Sequence, residues 1–203
     1  ILDILEEQGD EIFRDADSIA LEIDMDKEIV KRVFAFAEKY HKPVFAVVSN
    51  MSIAVERRDF LRSCACFVCN QQEAGILFSE DYEGKTPAEL ETVLAHHVQA
   101  AALPGIVVTM GEQGAVYATL DGERGWCPAK RVDVKDTTGA GDAFFAGVTM
   151  GLTYGKTLAE SCTIGARLAA SVICTSENVC PRFLPSEFGL KAPDSDDGQL
   201  ALE

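Results

Sequence analysis

Seven residues, Asp136-Thr137-Thr138-Gly139-Ala140-Gly141-Asp142, bring together the means to hold an anion and to move a proton beside it. Gly139 and Gly141 have no Cβ, so a bulky anion can approach the backbone N–H groups between them. An apolar run, residues 143–148, follows at once and predicts a helix opening near Asp142. The first-turn N–H groups of a helix lack intrahelical partners, and phosphate is the guest they favour. A carboxylate at Asp142 would repel that phosphate unless its task is to take a proton from another group. The same residues also fit an N-cap at Asp142 and a tight glycine turn with no ligand at all. Taken alone, the seven residues leave both readings open.

The turn has to be held by its neighbours. Val132 and Val134 alternate with polar residues just upstream and predict a short strand leading into it. Earlier in the chain, residues 1–16 are acidic and partly apolar, and residues 18–23 form a candidate strand. Asp26 is placed to cap a helix in which Val30, Val33, Phe34 and Ala37 recur at helical spacing. Residues 44–48 are continuously apolar, as suits a parallel strand buried on both faces. A helix near 56–63 precedes a strand at 66–69, which delivers Asn70-Gln71-Gln72-Glu73 to its C-terminal edge. Thr86, Pro87 and Glu89 combine an N-cap, a first-position proline and a capping-box Glu, predicting a helix over 87–101. Residues 106–109 form a buried strand that ends in Met110-Gly111-Glu112-Gln113-Gly114, and residues 115–118 return antiparallel. Thr157 and Glu160 make a second capping box for a helix reaching about Cys174. Residues 175–185 read as a loop and 186–190 as a last helical turn, while the acidic stretch 192–203 is expected to be disordered.

Strands alternating with helices predict an α/β sheet with helices on both faces, and ligands in such sheets sit at the C-terminal strand edges. By topology the turns carrying Asn70 and Glu73, the turn after Thr109 and the turn before Asp142 are then expected to converge. No internal repeat or interdomain linker is visible, so residues 1–191 are expected to form one domain.

Composition narrows the function. The 203 residues are 47% hydrophobic, enough for a substantial core. No apolar run approaches the ~20 residues that span a bilayer, and Ile1–Glu7 lacks the basic start of a signal peptide, so a soluble cytoplasmic protein is expected. The net charge of −15 argues against nucleic acid as partner, since that binding rests on clustered Lys and Arg. Seven cysteines in apolar contexts suggest reduced thiols. Cys64, Cys66 and Cys69 cluster as if for zinc, yet no second Cys or His pair follows at ligand spacing. Core thiols are the better reading. Residues 151–157 imitate a phosphate-binding loop, but Met150 stands where a glycine is needed and a helix precedes it, so a helix-to-helix turn is expected. His96 and His97 are expected at the surface of an amphipathic helix.

Asp136–Asp142 and the small, apolar helix after it resemble the C-terminal signature of the ribokinase-like (PfkB) carbohydrate kinases. The resemblance extends from Asp15 to Leu190. It implies a three-layer α/β/α ribokinase-like fold with a mostly parallel sheet, lacking the N-terminal part and lid that supply most acceptor contacts. It further implies that Asp142 deprotonates the acceptor hydroxyl and that the amides of Gly139, Ala140 and Gly141 form the anion hole. Asn70 and Glu73 match an Asn-x-x-Glu motif that organises Mg2+ and its waters. Thr109, Gly111 and Gly114 lie in the loop that resembles the family's nucleotide-phosphate loop. Asn178 falls in a late loop that walls the adenine and holds a monovalent cation such as K+, to which Asp136 also contributes. Ser49-Asn50 departs from the family, whose members often carry an aspartate there.

The implied activity is ATP-dependent phosphoryl transfer to a hydroxyl of a small-molecule sugar or nucleoside, with neither nucleic acid nor membrane as partner and a homodimer compatible with it. A phosphorylated sugar or a vitamin precursor is the alternative acceptor. From a different class, the chain could be a nucleotide-binding regulatory or oligomerisation fragment without catalysis of its own.

Overall fold

The computed structural model describes residues 1–176, 179–180 and 184–190, and the late-loop Asn178 and the stretch 192–203 lie outside them. The chain divides into two compact units, residues 1–131 and 132–203.

The first unit is built on a six-stranded sheet in chain order: β1 (Ile19–Glu22), β2 (Val44–Val47), β3 (Cys66–Asn70), β4 (Gly105–Thr109), β5 (Ala115–Thr119) and β6 (Arg124–Cys127). The first four strands are parallel, and β5 and β6 return antiparallel. Helices α1 (Leu2–Asp15), α2 (Lys27–Lys39), α3 (Met51–Val55), α4 (Arg58–Ser63), α5 (Gln71–Phe78) and α6 (Pro87–Ala101) complete the unit. A parallel sheet whose strands follow one another without reversal, joined by right-handed crossovers, sends its helices to one face. The core agrees. Val44, Ala46, Val48, Phe67, Cys69, Ile106 and Val108 share one cluster with Val30, Val33, Leu61, Leu77, Leu90, Leu94 and Val98 from the helices. Phe45, Cys66, Val68 and Val107 alternate with the strand members and are buried as well, so the inner strands are apolar throughout.

Local chemistry fixes the helix starts. Asp26 accepts the N–H groups of Glu28 (2.9 Å) and Ile29 (3.3 Å) at the start of α2. Thr86 and Glu89 close a capping box on α6, and Asn70 and Glu73 close another on α5. Helix α1 was not anticipated. Its N-cap Ile1 supplies no side-chain hydrogen bond, and its mid-helix Gly9 reads as a breaker, although an added Cβ there would collide with the Phe36 ring of α2. The sequence-predicted helix at 56–63 begins later, at Arg58, after the separate short α3.

The second unit contains α7 (Ala140–Thr153), α8 (Leu158–Ile173) and a 3-10 turn at Pro185–Phe188. Thr157 and Glu160 cap α8 as expected, and residues 154–156 form the helix-to-helix turn. The two helices cross with backbones nearly touching: a Cβ on Gly147 would stand 2.6 Å from the Gly165 Cα. No strand forms at Val132–Val134. Two alternating valines do not make a ladder, and the backbone just after them turns instead to α8, where Lys135 N–H donates to the Ile173 carbonyl (2.8 Å).

Candidate active site

Within the first unit, the C-terminal ends of β1 to β4 lie at one sheet edge, as their parallel register requires. At that edge Asn70 stands beside Thr109 in the ladder. Asn70 and Glu73 are held by each other: the Asn70 side chain accepts the Glu73 N–H (2.9 Å), and Glu73 Oε2 accepts the Asn70 N–H (2.7 Å). Burial pushes the Glu73 carboxyl above its ordinary pKa and nearby Asp24 pushes it further, while the Asn70 N–H opposes both.

Asp24 and Glu22 were not singled out from the sequence. Ser49, one of the two residues that depart from the family pattern, joins them: its Oγ donates to Glu22 (2.6 Å) and its N–H to Asp24 (3.4 Å). Arg57 fixes the loop that carries Asp24 by donating to the carbonyls of Ile23 (3.0 Å) and Met25 (2.5 Å). The clue available in sequence was positional, since acidic residues at the end of a predicted parallel strand face the ligand edge.

The edge fits a divalent cation held indirectly. Glu73 Oε2 is committed to the capping box, and negative charge from Asp24 accumulates beside it. Among the described residues no three His, Cys, Asp or Glu side chains converge at coordination distance. Magnesium retains waters and takes few protein ligands, so Asn70 and Glu73 would hold it through water and substrate oxygens.

Thr109, Gly111 and Gly114 belong to a loop with a locked shape. Met110 N–H donates to the Gly114 carbonyl (2.8 Å), and Gly114 N–H donates to the Gly111 carbonyl (3.1 Å). Gly114 adopts φ 98°, and a Cβ on it would strike the Cys127 carbonyl, so glycine is required twice over. A Cβ on Gly111 would meet nothing within 4 Å, which leaves that side of the loop open.

In the second unit, Asp136 Oδ1 accepts the Thr138 N–H (2.9 Å), and these bonds hold its carboxyl below the usual range. That bond rounds the chain into Gly139, the N-cap of α7, at φ 79°. The helix therefore starts at Ala140 rather than at Asp142, and Asp142 occupies its third position, exposed to solvent. Asp142 is not the N-cap. The Ala140 N–H donates to the Thr137 carbonyl (3.2 Å), while Gly141 and Asp142 lie in the first turn, whose amides have no intrahelical acceptor. A Cβ on Gly141 would meet nothing within 4 Å. Open space, first-turn amides and an exposed carboxylate thus occur together at one helix start.

The cysteines bear out core thiols. Burial pushes Cys66 up to about 12, and Cys64 and Cys69 are raised as well. His97 differs from its expected surface position: Phe78 stacks on its ring (centroids 4.4 Å apart) and Glu80 pairs with Nε2 (3.1 Å).

The model of the pfkB family carbohydrate kinase matches residues 6–181. The chain is 34% identical over 163 residues to guanosine-inosine kinase of Exiguobacterium acetylicum, covering 80% of this chain and 53% of that protein. It is 31% identical over 137 residues to ribokinase of Schizosaccharomyces pombe, covering 66% and 42%. A probable sugar kinase from Rhizobium etli superposes with a TM-score of 0.76 at 26% identity, over 92% of this chain and 58% of that one. Arabidopsis thaliana ribokinase, solved with ribose and ATP, has the same fold, with a TM-score of 0.73 at 22% identity over 84% of this chain and 54% of that one. The chain spans about half the length of these curated relatives.

Proposed function

Because the chain belongs to the pfkB family of carbohydrate kinases, we propose that the whole protein transfers the γ-phosphoryl group of ATP to a hydroxyl of a sugar or nucleoside, and that this chain carries residues for the nucleotide and for the transfer step. Relatives named for nucleosides and for pentoses support that acceptor class. Asp142 is the general base, and the amides at Gly139 and Gly141 stabilise the charge that develops on the transferred group, with the Ala140 N–H joining them by releasing the Thr137 carbonyl (3.2 Å). Phosphoryl transfer proceeds through a loose transition state with charge on the equatorial oxygens, so positioned amides and a positioned carboxylate are the chemistry it needs. The loop of Thr109, Gly111 and Gly114 lies against the nucleotide phosphates. Asn70 and Glu73 would hold the waters of a magnesium ion, which when bound would shield phosphate charge. Asp136, whose carboxyl is held below its ordinary pKa by the Thr138 N–H, would offer oxygen to a K+ ion.

The observation that carries this reading is the start of α7, where a left-handed Gly139, an unobstructed Gly141 and the exposed Asp142 fall within four residues of one turn. The test is Asp142→Asn in the whole protein. Removing only the proton acceptor should lower kcat by ~10²-fold or more and leave nucleotide affinity intact. Near-normal turnover in that variant overturns the assignment.

A second reading is a nucleotide-binding regulatory or oligomerisation fragment without catalysis of its own. Calorimetry with nucleotide and magnesium, paired with a coupled ADP-release assay over sugars and nucleosides, separates the two. Magnesium-dependent binding without turnover by the whole protein supports the second reading, and acceptor-dependent turnover rejects it.

A further inference from the structure

The segment joining α5 to α6, residues 79–86, is fastened to both helices. Ser79 ends α5 in the left-handed conformation at φ 56°. The Glu80 N–H then donates to the Gly75 carbonyl (3.0 Å), and a Cβ on Gly75 would stand 2.6 Å from the Glu80 carbonyl oxygen. Glycine at position 75 is what lets the segment lie so close. The Glu80 carboxylate reaches His97 on α6. Tyr82, 1% exposed, anchors the middle of the segment in the core of the first unit, and its environment includes Cys69 at the end of β3. Gln71 completes the attachment: its Nε2 donates to the Tyr82 carbonyl (3.1 Å).

Gln71 is the first residue between Asn70 and Glu73, and its tie runs in the opposite sense to theirs. The capping box shapes the helix start internally. The Gln71 bond connects that start to a backbone atom whose own side chain is locked in the core. Helix α5 has eight residues, too few to be stable or oriented by its own hydrogen bonds. Its direction is therefore set by what holds it from outside: the burial of Ala74 and Leu77 in the core, Arg58, which donates to the Leu77 carbonyl (2.9 Å) near the C-terminal end, and Gln71 at the first turn.

We propose that Gln71 and Tyr82 are positioning residues, and that the 79–86 strap sets the orientation in which Asn70 and Glu73 meet a magnesium–nucleotide complex. This rests on the reading of Asn70 and Glu73 as the magnesium corner. Misorientation by a fraction of an ångström matters at such a corner, because water-mediated contacts to an octahedral ion tolerate little angular error.

The test uses Gln71→Leu, which keeps the side-chain bulk and removes the donor, alongside Glu73→Gln. For each variant, calorimetry gives the ADP affinity with and without magnesium, and a thermal scan without ligand reports the fold. Gln71→Leu is expected to weaken the magnesium-dependent affinity by about fivefold, the equivalent of one neutral hydrogen bond, with metal-free ADP affinity unchanged and the melting temperature lowered by no more than the ~2–4 °C that the lost bond accounts for. A merely structural glutamine would lower the melting temperature with no change in affinity, or move both affinities together. If Glu73→Gln abolishes the magnesium dependence while Gln71→Leu leaves it intact, the strap has no positioning role and the inference is overturned. If Glu73→Gln changes nothing, or a folded sample shows no magnesium-dependent binding, the magnesium-corner reading falls and takes the inference with it.

Discussion

Replacing Gly141 by alanine adds one methyl group to the first turn of α7, and it should raise stability while lowering activity. The added Cβ would meet no atom within 4 Å, and Gly141, unlike Gly139, is not in the left-handed region. No strain opposes the change. Alanine in place of a helical glycine contributes up to ~1 kcal/mol, partly by restricting the unfolded chain. For a chain of this size that is a rise of about 2–4 °C in Tm. The methyl group, however, fills the approach to the first-turn amides. An oxyanion pushed ~1 Å out of hydrogen-bonding range loses the equivalent of one anion-hole donor, about 10²–10³-fold in kcat. Gly147→Ala is the control on the same helix. Its Cβ would lie 2.6 Å from the Gly165 Cα and 2.7 Å from the Gly165 nitrogen, backbone atoms that cannot swing aside. Helices α7 and α8 must separate, at an overpacking cost of ~1–3 kcal/mol or about 2–12 °C in Tm. Differential scanning calorimetry of both variants, with a coupled ADP-release assay on the whole protein, supplies the two readouts. A Tm lowered more by Gly141→Ala than by Gly147→Ala, or full turnover in Gly141→Ala, would refute the reasoning.

Two further outcomes follow from buried or half-buried groups. The Glu73 pKa is raised by folding, so the folded state holds that proton more tightly than the unfolded state does. Its contribution is therefore most favourable below the unfolded pKa of ~4.5 and is lost as pH rises through the folded value. Glu73→Gln removes this loss and keeps an oxygen for the Asn70 N–H, so Tm at pH 7 should equal or exceed that of the parent even as magnesium-dependent binding falls, and a clearly lower Tm would show that the ionised carboxylate stabilises the fold. For the cysteines, fast native thiol labelling at pH 8 should be confined to the partly exposed Cys174 and Cys180, with Cys64, Cys66 and Cys69 modified only after denaturation. Rapid modification of Cys66 in the native protein would show that β3 opens readily.

What was legible in the sequence is what is encoded within a few residues. Asp26, Thr86 and Thr157 announce their helices because a cap and its target amide lie within three positions, and all three helices begin where these residues place them. The continuous apolar runs of β2, β3 and β4 identify buried parallel strands for the same local reason. Strand β6 escaped because Arg124-Gly125-Trp126-Cys127 has no strand pattern of its own. Its pairing comes from the hairpin, in which Ala118 faces Arg124 across the Thr119–Glu123 turn. Helix α1 escaped because Gly9 answers to Phe36, 27 positions away, rather than to its own helix.

The candidate site divides along the same line. Glycines and an aspartate at fixed spacing declared the turn at Asp136–Asp142, since the chemistry of an anion hole needs those residue types next to one another. Gln71 carried no such mark. Its partner is a backbone carbonyl eleven residues on, and any residue at position 82 would supply a carbonyl. What makes this carbonyl a fixed point is the burial of the Tyr82 side chain, a property of the assembled core. Local motifs of this kind state which groups do the chemistry, whereas the accuracy with which they are aimed resides in tertiary contacts that leave no pattern of spacing. A variant series confined to Asn70, Glu73 and Asp142 would therefore measure the chemistry and miss the aim; comparing it with Gln71→Leu separates the two, because only the latter alters orientation with every proposed ligand and base still in place.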